Sequence, residues 1–211
     1  NSTEEAVELS KFAEKAGSDA LLIVTPYYNK PTQEGLYQHY KKINDSVGIP
    51  IIIYNIPSRS VIDMSVDTMA KLYELKNIKG VKDATGDLNR VDLQLKTMGK
   101  EFIQLTGNDD NALEFNKRGG VGAIGVTANI AAKLSSDFQK ACVEDIKKAT
   151  ELDKLLQPLH TSLFIESNPS PVKYAASLLN MCKPNVRLPL VEVREETKKK
   201  VSEALKVAKL L

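Results

Sequence analysis

With 211 residues, 42% of them apolar and 27% charged, the chain has the make-up of a globular domain and not of a disordered segment. Its 29 basic and 27 acidic side chains leave a net charge of +2, and Lys198-Lys199-Lys200 is the one basic cluster, so the electrostatic footprint of a nucleic-acid binder is missing. No apolar run approaches the roughly 20 residues that a membrane span needs, and Asn1-Ser2-Thr3-Glu4-Glu5 has neither the basic nor the apolar region of a leader, so a soluble, cytoplasmic chain without membrane partners is expected.

In chain order, Ser2 or Thr3 opens an amphipathic helix at Glu4-Glu5-Ala6-Val7, and the β-branched run 20–24 reads as a strand. Pro31-Thr32-Gln33-Glu34 starts a second helix before strand 51–54, and Ser65-Val66-Asp67 starts a third before strand 78–82. Asp87 opens a helix before strand 102–105, and Asn108-Asp109-Asp110 opens another before strand 122–126. Each strand is expected to be buried on both faces. Because strands and helices alternate without hairpin signals, the sheet must be parallel, which leaves a doubly wound sheet or a (β/α)8 TIM barrel. Strand starts roughly 20 to 30 residues apart suit barrel units.

Thr127 is placed to cap the helix after the fifth strand. From about residue 128 onward the pattern is helical, broken at Asn168-Pro169-Ser170-Pro171 and at 183–189, and 196–210 reads as a helix with a solvated lysine face. The expected division is therefore 1–130, a partial barrel holding the last five strands, and 131–211, the last barrel helix with a C-terminal helical extension. Since the first helix begins at residue 2 with no strand before it, the barrel is expected to lack about its first three strands.

Cys142 and Cys182 are too few and too far apart for a disulfide framework or a zinc site, and read as free thiols. His39 and His160 stand in no metal-binding or nucleophile motif. Gly120-Val121-Gly122-Ala123-Ile124-Gly125 fits the dinucleotide fingerprint in letters, but its glycines run into a strand where a phosphate-binding loop would open a helix. Close packing of small residues in the last strand is the better reading.

The chemistry concentrates at Lys82. In 78–82 alternation puts 78, 80 and 82 on one face, and the polar Asp83-Ala84-Thr85-Gly86 places the lysine at the C-terminal end of a strand, where barrels keep their active sites. It is either a structural ion-pair partner or a nucleophile, and Asp83, pointing to the opposite face, makes a poor partner. Desolvation between strands favours the neutral amine that attacks carbonyls, with a Schiff base as product. Tyr54 at the end of the neighbouring strand would lie about 5 Å away, in reach for proton transfer, and Arg59 beyond it can hold a carboxylate by two parallel hydrogen bonds.

The strings Thr25-Pro26-Tyr27-Tyr28-Asn29-Lys30-Pro31, Tyr54-Asn55-Ile56-Pro57-Ser58-Arg59, Gly80-Val81-Lys82-Asp83-Ala84-Thr85-Gly86 and Asn168-Pro169-Ser170-Pro171-Val172-Lys173 resemble, in order and spacing, the dihydrodipicolinate synthase family of pyruvate-dependent aldolases. The resemblance spans essentially the whole chain. It implies that Lys82 binds pyruvate as an imine, that Tyr54 passes protons, and that Tyr28 reaches across a tight dimer interface into the neighbouring site. It further implies that Arg59 holds the carboxylate of L-aspartate 4-semialdehyde, that the backbones of Gly107 and Ile124 line the pocket, and that neither metal nor organic cofactor is used. The product would be 4-hydroxy-tetrahydrodipicolinate, in the committed step toward diaminopimelate and lysine, made by a homotetramer built as a dimer of dimers.

Asn1, Glu5 and Tyr27 match positions of an allosteric L-lysine site. The Arg59 and Tyr27-Tyr28 signals favour the synthase over another pyruvate aldolase of the N-acetylneuraminate lyase or keto-deoxy-sugar type, and a non-catalytic homologue is the third alternative. The resemblance also implies a preceding segment, with threonines that bind the pyruvate carboxylate, so the isolated 211-residue chain is expected to be inactive or badly impaired.

Overall fold

A computed structural model describes all of residues 1–211. In chain order it contains α1 (Thr3–Lys15), β1 (Leu21–Val24), α2 (Gln33–Asn44), β2 (Ile51–Asn55), the short α3 (Pro57–Ser60), α4 (Val66–Tyr73), β3 (Ile78–Asp83), α5 (Asn89–Met98), β4 (Ile103–Thr106), α6 (Ala112–Lys117) and β5 (Gly122–Ala123). Four longer helices follow: α7 (Ala132–Glu144), α8 (Ile146–Ser162), α9 (Ser170–Leu178) and α10 (Glu195–Val207). The five strands form one parallel sheet in the order β1-β2-β3-β4-β5, each paired with its neighbour in sequence. No helix is long and apolar enough to cross a membrane.

The chain forms two compact units. The first, Asn1–Asn108 with Glu114–Ile124, holds the sheet. Its helices start where side chains can satisfy the free backbone N–H groups of a first turn: Ser2 accepts from Glu5 N, Thr32 from Gly35 N and Ser65 from Thr68 N. Leu36, Tyr40 and Ile43 of α2 and Met69 and Leu72 of α4 are fully buried against Ile51, Ile53 and Val81. The Tyr40 hydroxyl, sealed in this layer, donates to the Ile23 carbonyl at 2.7 Å.

Two expectations change here. The strands are covered on one face only: alternate residues Leu22, Val24 and Ile103 on the other face remain 45%, 37% and 39% exposed, although the sequence is apolar on both. On β3 an irregularity sets Ile51 opposite Ile78 but Ile52 opposite Gly80, so the simple grouping of 78 with 80 and 82 fails. Ile78 instead joins Val81 in the buried helix-facing layer. Gly80 cannot be replaced cheaply, because a β-carbon there would sit 2.6 Å from the β-carbon of Ile103 and closer still to its carbonyl oxygen.

The fifth strand ends earlier than the sequence predicts, and its glycines serve packing: a β-carbon on Gly120 would press into the Phe115 ring, and one on Gly122 would lie 3.3 Å from Leu105.

The second unit, Asp109–Leu113 with Gly125–Leu211, is helical. At its start the Asp109 carboxylate accepts from Val126 N at 2.7 Å and Thr127 N at 2.9 Å, which draws the chain into a 3-10 turn at Thr127–Asn129. Thr127 is therefore no helix cap: α7 starts after Ala131, and the Thr127 hydroxyl is bonded to His160 Nδ1 at 2.8 Å. Asp145 caps α8 through Lys147 N and Lys148 N. Leu156, Leu159 and Leu163 fill this core with Val201 and Leu205 of α10. The α10 lysines pair along their own helix, Lys198 with Glu195 and Lys200 with Glu196, both at 2.7 Å, as a solvated face does. The Asn168–Pro169 and Leu188–Pro189 peptides, within the predicted breaks, are cis. Cys142 and Cys182 are free thiols.

Candidate active site

The C-terminal ends of β2 and β3 carry the site. Parallel pairing places Tyr54 directly opposite Lys82 and Asn55 opposite Asp83. Since residues opposite each other point to the same side, Tyr54 and Lys82 share the open face, and the Lys82 Nζ lies 4.0 Å from the centre of the Tyr54 ring. Both are half-buried. Burial raises the pKa of the Tyr54 phenol, with the Arg59 charge opposing, so at neutral pH this hydroxyl keeps its proton and can donate it.

Gly107, just past β4, completes the lysine's seat: a β-carbon there would lie 3.1 Å from Lys82 Cε and 2.8 Å from the Ala84 β-carbon. Its N–H donates to the Asp83 carbonyl at 2.7 Å.

Arg59 lies on α3, which Pro57 opens and which the left-handed Val61 (φ 66°) ends. The exposed guanidinium borders a hollow of about 380 Å³ shared with Leu22, Val24, Tyr27, Tyr54 and Ile56. Lys82, Tyr54 and Gly107 are thus brought together, with Arg59 joined to them through Tyr54. Two further predicted residues lie on neighbouring segments. Tyr28 is 87% exposed on a left-handed backbone (φ 73°). Ile124 follows β5, two strands from β3, with its N–H donated to the Thr106 carbonyl at 3.0 Å.

Asn1, Glu5 and Tyr27 border a second hollow, of about 460 Å³, together with Leu22, Val24 and His39. There the His39 imidazole is bonded to the Thr3 hydroxyl at 2.9 Å, and burial holds its pKa down at about 4.

Behind the open face lies a polar group that sequence reasoning missed. Asp83, 5% exposed, turns away from Lys82: its Oδ2 accepts from Arg90 Nε at 3.0 Å, and its Oδ1 from Thr85 N and the Thr85 hydroxyl at 2.8 and 2.6 Å. Arg90 also donates to the Met64 carbonyl at 2.7 Å and to Asp63 at 3.3 Å, and Asp63 in turn accepts from Asn55 Nδ2 at 2.6 Å. The only sequence signal was that Asn55 and Asp83 each follow a site residue; nothing in the pattern points to Arg90.

Comparisons with known proteins agree on one relationship. Residues 1–208 match the dihydrodipicolinate synthetase family. A 4-hydroxy-tetrahydrodipicolinate synthase of Pelagibacter ubique is 72% identical over all of this chain and 73% of its own length. The dihydrodipicolinate synthase of Acinetobacter baumannii, solved in complex with pyruvate, is 44% identical and superposes with a TM-score of 0.96 over all of this chain and 72% of its own. A synthase of Cyanidioschyzon merolae with lysine bound is 32% identical, with a TM-score of 0.94 over the same shares.

Proposed function

The chain belongs to the dihydrodipicolinate synthetase family and is an enzyme of that type, and from that premise we propose that Lys82 condenses pyruvate with L-aspartate 4-semialdehyde through a Schiff base. The observation that carries this reading is the Lys82 amine seated 4.0 Å over the Tyr54 ring at the ends of adjacent parallel strands. In the proposed reaction the amine attacks the pyruvate ketone, and protons relayed by Tyr54 allow water to leave and the imine to form. Loss of a methyl proton then gives an enamine, whose carbon attacks the aldehyde. The amino group of the semialdehyde closes on the imine carbon and releases Lys82. Two substrates thus yield 4-hydroxy-tetrahydrodipicolinate and one water with no net oxidation, so the balance calls for no redox cofactor.

Arg59, at the mouth of the hollow, is read as the grip on the semialdehyde carboxylate. Tyr28, exposed on strained backbone, is read as reaching a second copy in a homotetramer. The sheet is read as the last five strands of an eight-stranded barrel, which agrees with the apolar character of its uncovered face. Asn1, Glu5 and Tyr27 are read as part of an L-lysine effector site.

The test is incubation with pyruvate and borohydride, which delivers hydride to the imine carbon and fixes a secondary amine. An adduct on the Lys82 peptide, absent in Lys82→Ala, is expected; an intact chain that gives no adduct at Lys82 overturns the reading. A panel of aldehydes then separates the semialdehyde from sugar-type acceptors.

A further inference from the structure

Arg90 sits on the first turn of α5, on the side of the sheet away from the open face. Its three donor nitrogens are spread over three acceptors of different elements: Asp83 at the end of β3, Asp63 in the segment between α3 and α4, and the Met64 carbonyl. Asp63 passes the link to β2 through Asn55, whose own Oδ1 accepts from Met64 N at 3.1 Å. The guanidinium, 12% exposed, therefore ties together the residues that immediately follow Tyr54 and Lys82. Two backbone bonds extend the tie across the three strand ends, Ala84 N to the Asn55 carbonyl at 2.9 Å and Gly107 N to the Asp83 carbonyl at 2.7 Å.

This arrangement has the form of a positioning device. The strand ends are where a parallel sheet is least constrained, since ladder bonds stop there and loops begin. A planar fork with several donors can hold two carboxylates and a carbonyl at fixed angles, which a single ammonium cannot. Accordingly we infer that Arg90 is a positioning residue, which with Asp63 and Asn55 fixes the spacing of Tyr54 and Lys82 from behind the sheet. The inference rests on the Schiff-base reading and adds to it a residue that never touches substrate.

The experiment measures the rate of pyruvate trapping at Lys82 by borohydride, as a function of pyruvate concentration, together with thermal melting of each variant. Arg90→Met is expected to lower the maximal trapping rate at least about tenfold, rising to about a hundredfold if the pair shifts by about 1 Å. The half-saturating pyruvate concentration should stay within about twofold, because no substrate contact is removed. Arg90→Lys, which keeps the charge but not the fork, should restore melting more than rate. Asp63→Ala, at a half-exposed position, removes the acceptor for Asn55, cuts the link to β2 and should slow trapping several-fold while folding normally.

Asn77→Ala is the control for general loosening: it removes buried bonds to the Asn44 and Val47 carbonyls just before β3, at the end of the sheet opposite the site, and should leave the rate of the folded fraction unchanged. Wild-type trapping rates in folded Arg90→Met or Asp63→Ala overturn the inference, as does a loss fully matched by Asn77→Ala at equal folded fraction. A wild-type chain with no Lys82 adduct overturns the functional reading and this inference with it, an outcome distinct from a wild type that traps while its variants are unaffected.

Discussion

At Tyr54 the geometry separates proton donation from mere packing. The ring supports the Lys82 amine from 4.0 Å, while burial keeps the hydroxyl protonated beyond the ordinary tyrosine range. Tyr54→Phe keeps the ring and removes the proton, so trapping at Lys82 should slow by about 100-fold or more with little change in melting temperature. Because the phenol pKa is raised, the wild-type rate should lose this acid only at a pH above that of free tyrosine, which a pH profile of trapping will show. Gly107→Ala tests the seat itself: the added methyl meets Lys82 Cε and Ala84, so the lysine must move, and a drop of about tenfold in trapping is expected. The pairing of Lys82 with Tyr54 was legible because each ends an apolar run at the end of its strand; Arg59, on α3, follows such a run but has its side set by the helix and not by alternation. Arg90 was not legible, since its partners lie 7 and 27 positions away and become neighbours only once the sheet is formed.

Among the elements, most boundaries follow from local chemistry. Ser2, Thr32 and Ser65 mark helix starts in the sequence and cap them in the fold; Ser65→Ala should cost about 1 kcal/mol in denaturant unfolding, with the site unchanged. Where reading failed, long-range contacts decided. The fifth strand was drawn too long because its residues are apolar, whereas Asp109, 17 positions before Val126, captures the N–H groups that a strand would have offered a neighbour. The irregularity in β3 was equally hidden, being a property of pairing with β2 and not of the run itself. It makes Gly80 a sharp test: Gly80→Ala forces a methyl against the Ile103 backbone, and a loss of several kcal/mol, or failure to fold, is expected, since two ladders must separate.

For the molecule as a whole, each unit buries one histidine, His39 in the first and His160 in the second, and burial lowers both pKa values. A folded-state value below the unfolded one means that the unfolded chain takes up protons first. Stability from these groups is then full above about pH 6.5 and drains away as pH falls toward the His39 value of about 4. The urea midpoint should drop between about pH 7 and about pH 5, and His39→Gln with His160→Gln should flatten that drop. The parallel sheet and the helical second half were legible from periodicity alone; the half-open face was not, because an apolar run does not say what covers it.

The strand order carries a consequence for how the protein is made. Every strand after the first pairs with the one synthesised just before it. Among these five strands none waits for a distant mate, and this part of the sheet can extend in the direction of translation. Tyr54 emerges first, Lys82 is laid beside it when β3 follows, and the arrival of Gly107 closes the seat, so the reactive lysine is assembled in the order in which its codons are read.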